Sequence, residues 1–213
     1  MSKIVSINPE NPETEVIRKA ARIIQEGGVV IFPTRYLYGL GADALNPDAV
    51  ERVYQIKQRP LTKPLLILVK QPESFLQLVR HIPESARQLM GRFWPGDITL
   101  VFEAKDSLPQ NLTAGTGKIG VRLPQHPTAI ELTNAVQNPI TATSANRAGL
   151  GGCSRSADLD PLITDNVDLI LDAGTLKGGS GSTIVDVTLD PPVILREGAV
   201  PAKAIFEILT IDI

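Results

Sequence analysis

Residues 11–34 read NPETEVIRKAARIIQEGGVVIFPT, and this stretch decides the fold class. Asn11 followed by Pro12 is a helix start: the asparagine offers its side chain to free backbone amides, and proline is preset for the first helical position. Val16, Ile17, Ala20, Ala21, Ile23 and Ile24 recur at the three- and four-residue spacing that lines one helix face with apolar side chains. Gly27-Gly28 stops that helix, and Val29–Pro33 follows as an apolar run of strand length. An amphipathic helix feeding a strand that is apolar on both faces is the building unit of α/β proteins.

The alternation continues outward. Asn46-Pro47 repeats the start signal for a helix carrying Val50, Val53, Tyr54 and Ile56, and Leu65–Val69 reads as the next strand. Pro72–Arg92 holds two short helices broken before Pro83. Ile98–Phe102 and Ile119–Leu123 read as strands and Pro127–Gln137 as helix. Short strands are expected at Ile140–Thr143, Leu169–Leu171, Thr183–Val187 and Val193–Leu195, with a terminal helix from Pro201 through Leu209. Because element spacing becomes irregular late in the chain, the expected architecture is α/β with one twisted mixed sheet and flanking helices. No linker, repeat or low-complexity tract interrupts residues 1–213, which predicts a single domain.

Composition narrows the function classes. With 43% hydrophobic and 21% charged residues the chain is of globular type, and at 4% aromatic its core must be aliphatic. Twenty-one basic against 23 acidic side chains give a net charge of −2, unsuited to coating nucleic acid or an acidic membrane, so any RNA contact would be a local cluster. The single Cys153 excludes an internal disulfide and fits a reducing compartment; it reads as a small, partly buried side chain. His81 and His126 provide no metal-ligand cluster at useful spacing, and no metal site is predicted. The N-terminus shows no apolar leader, and the apolar runs fall short of the roughly 18 residues of a membrane span. The expectation is a cytoplasmic protein with no membrane association.

Familiar nucleotide motifs fail. Gly117-Lys118 is followed by Ile119 and lacks the upstream glycine of a phosphate-binding loop, Gly178–Thr183 does not match the dinucleotide fingerprint, and no G-x-S-x-G elbow occurs. Four segments do carry chemistry. Lys57-Gln58-Arg59-Pro60-Leu61-Thr62-Lys63-Pro64 packs three cations, stiffened by two prolines, where a polyanion such as triphosphate would be gripped; the same residues also read as a solvated helix C-terminus. Thr143-Ser144-Ala145-Asn146-Arg147 follows a strand, the usual place for ligands in open α/β sheets, though it also reads as a plain turn. The two-residue period puts Lys118 and Arg122 on one side of a strand, as ligand contacts or as the solvated face of an edge strand. Gly178–Thr183 with Arg196 forms either an anion nest or a flexible loop. Together these describe an anion-binding cleft of cations and hydroxyls, suited to phosphoryl or nucleotidyl transfer by positioning and charge neutralisation.

Taken in order, several motifs resemble one family: Gly27–Thr34, Tyr38-Gly39-Leu40-Gly41, Lys57-x-Arg59-Pro60, Trp94-Pro95-Gly96-Asp97-Ile98-Thr99, Gly120–Pro124, Ser144-Ala145-Asn146, Ser182–Asp186 and Leu195-Arg196-x-Gly198. They are similar to those of the YrdC-like threonylcarbamoyl-AMP synthases, in the single-domain form. The resemblance implies a YrdC-like fold with a concave basic cleft. It also implies a reaction in which L-threonine, bicarbonate and ATP give threonylcarbamoyl-AMP and pyrophosphate, with magnesium accompanying the ATP. The product would pass to a separate tRNA threonylcarbamoyl transferase complex.

By the same resemblance, Lys57, Arg59, Ser144 and Asn146 surround the ATP phosphates and the carbamate. Lys63, Ser154 and Arg196 join Arg59 and Asn146 on the nucleotide side, where Lys118, read from its place on the strand, is also expected. Arg122 pairs with the threonine carboxylate, with Thr34, Tyr36, Leu68, Ser144 and Ser182 around it. The chain departs from the family pattern in three places: Arg35-Tyr36-Leu37 replaces the usual E-T-V, Leu68 stands in a histidine place, and Gly181 replaces a frequent glutamate. A paralogue acting on another small molecule, and an RNA-binding module without synthase activity, are the alternatives.

Overall fold

The computed structural model describes residues 3–209; residues 1–2 and 210–213 of the expected domain lie outside the described residues. The strands in chain order are β1 (Ile4–Ser6), β2 (Val30–Pro33), β3 (Tyr38–Gly41), β4 (Leu66–Leu68), β5 (Ile98–Glu103), β6 (Lys118–Arg122), β7 (Ile140–Thr141), β8 (Thr143–Ser144), β9 (Leu169–Asp172), β10 (Thr183–Asp186) and β11 (Val193–Arg196). The helices are α1 (Thr14–Gln25), α2 (Pro47–Lys57), α3 (Glu84–Phe93), α4 (Pro127–Ala135), α5 (Pro161–Thr164) and α6 (Ala202–Leu209). The mixed α/β class stands, but the strands divide between two sheets where one was expected. Their orders are β1-β9-β2-β3-β8 and β11-β10-β5-β6-β4-β7.

The reason for the division lies at Ala142. The run Ile140–Thr143 looks like one strand, yet its first half (β7) pairs with β4 and its second half (β8) with β3, so the chain passes from the larger sheet to the smaller. At the crossing the Ala142 amide still donates to the Leu66 carbonyl, 3.0 Å away.

Asn46 caps α2 as read, accepting from the Asp48 and Ala49 amides at 3.0 and 3.2 Å. Asn11 does not cap α1. The Asn8 side chain instead collects the amides of Glu10 and Asn11, both at 3.0 Å, so Asn11-Pro12 lies in a turn and the helix begins at Thr14.

The buried face of α1, made by Ile17, Ala20, Ala21 and Ile24, packs with Ala129 and Leu132 of α4 over Phe32 and Leu169 of the smaller sheet. A second, larger core joins α2, α3 and α6 to both sheets and is aliphatic apart from a few rings, among them Phe75 edge-on to Trp94. Each fully buried Val, Leu or Ile there contributes about 1.5–3 kcal/mol relative to exposure.

What this frame leaves uncovered is one face of the larger sheet. Registered pairs Ile184↔Arg196, Ile184↔Thr99, Val101↔Gly120, Leu66↔Gly120 and Leu68↔Arg122 carry that face from β11 to β4. β6 is therefore an interior strand, and Lys118 and Arg122 share the uncovered face. Gly120 keeps its floor open, since a Cβ there would lie 3.2 Å from Leu66 Cβ and 3.3 Å from Thr99 Cγ2.

Candidate active site

A cavity of about 620 Å³ lies between this face and the β2–β3 turn, within the range of small-molecule sites. Arg122 stands at one end, with only 11% of its side chain exposed. Its Nε donates to the Gly96 carbonyl at 2.8 Å, and its Nη2 lies 3.6 Å from Asp97 Oδ1. Burial pulls the Arg122 pKa down while the Asp97 charge opposes that, and a guanidinium has range enough to stay charged. Asp97 Oδ2 accepts from Arg35 Nη1 at 2.7 Å and from the Tyr36 hydroxyl at 2.8 Å. Burial and this bond push the Tyr36 pKa up, so the phenol keeps its proton.

Next to Arg122 on the face, Thr99 Oγ1 and Ser182 Oγ share a hydrogen bond of 2.9 Å, and Arg196 Nη2 donates to the Ser182 carbonyl at 2.7 Å. Positive φ angles at Gly178, Gly179 and Gly181 (74°, 112° and 75°) turn the overhanging loop so that Gly179–Ser182 lines the cavity. Farther along, Lys118 Nζ reaches Asp186 Oδ2 at 2.8 Å. Burial alone would raise the Asp186 pKa, but the bonds from Lys118 and Thr188 outweigh it and hold it below the ordinary value.

Arg59 enters from the end of α2. Its Nε and Nη2 donate to the Lys63 and Pro64 carbonyls at 3.0 and 2.9 Å, which pins the proline-stiffened turn and leaves Nη1 without a protein partner among the described residues. Lys57, two residues back and the last of α2, faces inward and is 1% exposed. Its ammonium donates to the carbonyls of Ser144 and Asn146, and its own carbonyl accepts from the Ala148 amide at 2.9 Å. Lys57 thus holds the 144–148 segment from behind the cavity wall. Asn146 does likewise, donating to the Arg147 and Leu150 carbonyls at 2.8 and 2.6 Å, while its buried Oδ1 has no partner among the described residues.

Of the residues singled out from sequence, Thr34, Tyr36, Arg59, Leu68 and Lys118 line the cavity, as do Arg122, Ser144, Ser182 and Arg196. Lys57, Lys63, Asn146 and Ser154 do not. Lys63 is exposed on the turn, and the Ser154 Oγ sits 3.8 Å from where a Gly178 Cβ would be, beneath the glycine loop. The sequence alone assigned no site role to Arg35, Thr99, Gln125, His126 and Asp186 on the wall, or to Asp97 behind it. Thr99 was within reach of the period-two rule, two residues before Val101 on β5. His126 Nδ1 accepts the Thr128 amide at 3.2 Å at the start of α4, and burial lowers its pKa, leaving a neutral ring near pH 7.

The inward Lys57 has a pH signature. Burial, then the charge of Arg59, pull its pKa from 10.5 to about 7 against the two carbonyls that favour the ammonium. Below pH 7 the folded and unfolded chains both hold the proton. Between about 7 and 10.5 only the unfolded chain holds it, so unfolding takes up a proton and stability rises with pH. The stability of the wild type minus that of Lys57→Met should therefore be flat below pH 6 and climb from pH 7 to 10 in urea titrations. A flat difference throughout would mean that Lys57 titrates near its unfolded value.

The Sua5/YciO/YrdC family model, described as telomere recombination, matches residues 22–198. The chain belongs to this family. It is 37% identical to the threonylcarbamoyl-AMP synthase of Pyrococcus abyssi over 98% of its own length and 61% of that protein's. It is also 37% identical to the Bacillus subtilis threonylcarbamoyl-AMP synthase, over 89% of its length and 55% of the relative's. The chain thus spans little more than half the length of these two relatives. Among solved structures, P. abyssi Sua5 complexed with L-threonine superposes with TM-score 0.92 at 37% identity, covering 98% of this chain and 61% of that one. Escherichia coli YciO superposes with TM-score 0.87 at 30% identity, covering 95% of this chain and 98% of that one. Among the described residues no helix is long and apolar enough to cross a membrane, and no group of three or more His, Cys, Asp or Glu is placed to hold a metal ion.

Proposed function

We propose that this protein condenses L-threonine, bicarbonate and ATP into threonylcarbamoyl-AMP, releasing pyrophosphate. One observation carries the reading: a buried Arg122 and the Thr99–Ser182 hydroxyl pair stand at one end of a cavity whose walls also bear Arg59, Lys118 and Arg196. A structure of 0.92 TM-score and 37% identity holds L-threonine. In the reaction the threonine amine attacks the carbon of bicarbonate, losing water to give a carbamate. A carbamate oxygen then attacks the α-phosphorus, and the bond to the leaving pyrophosphate breaks. Substrate supplies both nucleophiles, so the protein's part is to hold charges in place.

Arg122 takes the amino-acid carboxylate, a planar fork suited to it. Arg59, Lys118 and Arg196 meet the phosphates, while Lys57 and Asn146 act as positioning residues for the Ser144–Arg147 segment. Magnesium comes with the nucleotide. Asp186, the one carboxylate on the cavity wall among the described residues, is already held by Lys118 and Thr188, so phosphate oxygens and water would complete the ion's shell. The product would serve a separate transferase that modifies the adenosine beside the tRNA anticodon, and the cytoplasm is the setting such a role requires. The described residues act as a single domain.

A paralogue's substrate is the second reading, favoured by two features of the wall. Leu68 is apolar, and the Tyr36 hydroxyl is committed to Asp97, so neither is free to bond a threonine hydroxyl. Pyrophosphate release from ATP, measured with bicarbonate and with each amino acid in turn, tests both. It should require bicarbonate and an amino acid, and threonine should exceed serine and valine by only about 10–200-fold, the scale of an apolar pocket's discrimination. Release at the same rate without any amino acid would sink the synthase reading.

A further inference from the structure

The β2–β3 turn belongs to the smaller sheet but is tied to the larger one through Arg35. Its Nη1 donates to Asp97 Oδ2, just before β5, at 2.7 Å and to Gln125 Oε1, just beyond β6, at 2.5 Å. The Tyr36 hydroxyl adds a bond to the same Asp97 oxygen at 2.8 Å, and the Arg35 guanidinium lies 5.5 Å from the Tyr36 ring centroid. These contacts close the cavity at the end where Arg122 stands. The other oxygen of Asp97 is buried, has no hydrogen bond among the described residues, and lies 3.6 Å from Arg122 Nη2.

We infer that Arg35 is a positioning residue for the amino-acid substrate, keeping the Asp97 carboxylate from occupying Arg122. The inference rests on the reading that Arg122 receives the substrate carboxylate. Among themselves Arg35, Arg122 and Asp97 carry one net positive charge, enough for one carboxylate. Without Arg35, Asp97 and Arg122 form a neutral pair. Asp97, released from its stronger partner and already aimed at Arg122 by an unbonded oxygen, would move a few tenths of an ångström into a full charge-assisted bond. The substrate carboxylate would then have to displace it. Loss of the second cation and loosening of the turn act in the same direction.

The test is the amino-acid affinity of variants, by calorimetry with L-threonine and by KM in the pyrophosphate assay. Arg35→Met should raise the threonine KM about 10-fold or more, the scale of one charge-assisted hydrogen bond, with the KM for ATP unchanged. Arg35→Lys, which keeps the charge and is the milder change should methionine impair folding, should raise it less. The deciding variant is Arg35→Met with Asp97→Asn, because a neutral amide no longer competes for Arg122. Its threonine KM should fall back toward the wild-type value, an effect that mere structural support would not produce. Unchanged threonine affinity in folded Arg35→Met or Arg35→Lys, or a double variant worse than Arg35→Met, overturns the inference. A wild type that turns over without amino acid overturns the synthase reading instead.

Discussion

Arg122→Met is expected to lower kcat/KM for the amino acid by about 10²–10³-fold, the scale of a charge-stabilising group removed from a water-poor site. Methionine keeps much of the buried stem and removes only the fork. With 11% of the Arg122 side chain exposed, solvent does little to screen what is lost. The Gly96 carbonyl loses its donor and Asp97 a neighbouring charge, but Asp97 keeps Arg35 and Tyr36. Stability should therefore fall by only about 1–3 kcal/mol. The KM for ATP should hardly move. Steady-state kinetics with thermal melts decide it: a folded variant with ordinary amino-acid KM would remove Arg122 from the carboxylate site.

Arg59→Ala should lower kcat/KM by roughly 10²-fold or more, this time for ATP and amino acid alike, since the phosphates are present in every productive complex. Two of its nitrogens are engaged with the Lys63 and Pro64 carbonyls, which aims the third, Nη1, without restraining it further. Stability should change little. The Lys63 carbonyl keeps the Tyr54 hydroxyl at 3.0 Å, and the turn is open to water. Near-normal turnover in a folded variant would return the Lys57–Lys63 segment to the role of a solvated helix end.

The interleaving of helices and strands was legible because it rests on local periodicity, and α2 is capped where Asn46-Pro47 announces it. Pairing partners were not legible. Nothing within Ile140–Thr143 shows that its halves serve different sheets. β3 escaped notice because glycine is a poor strand former, yet its glycines are what the pairing needs: a Cβ at Gly41 would lie 2.7 Å from the Phe32 ring and one at Gly39 3.3 Å from it. In the site, the cations Arg59, Lys118, Arg122 and Arg196 could be picked out because they stand in strands or just past a helix end, and the two-residue period puts Lys118 and Arg122 on one face. The inward turn of Lys57 depends on carbonyls 87 and 89 residues away, and Asp97 takes its role from Arg35, 62 residues earlier. Contacts at such separations leave no local trace.

The crossing at Ala142 also fixes what the chain can tolerate in length. β7 is registered on β4 through Thr141 and Ile140, and β8 on β3 through Ser144 and Thr143, with a single residue between them. Adding or deleting one residue there would force one sheet to surrender its register, and a one-step slip turns every side chain to the opposite face. Ser144 would leave the cavity wall, and the carbonyls that Lys57 holds would move out of its reach. The glycine-bearing 149–152 stretch next to it has no such double anchorage. Indels in descendants of this sequence should therefore collect at 149–152 and be missing from 140–146.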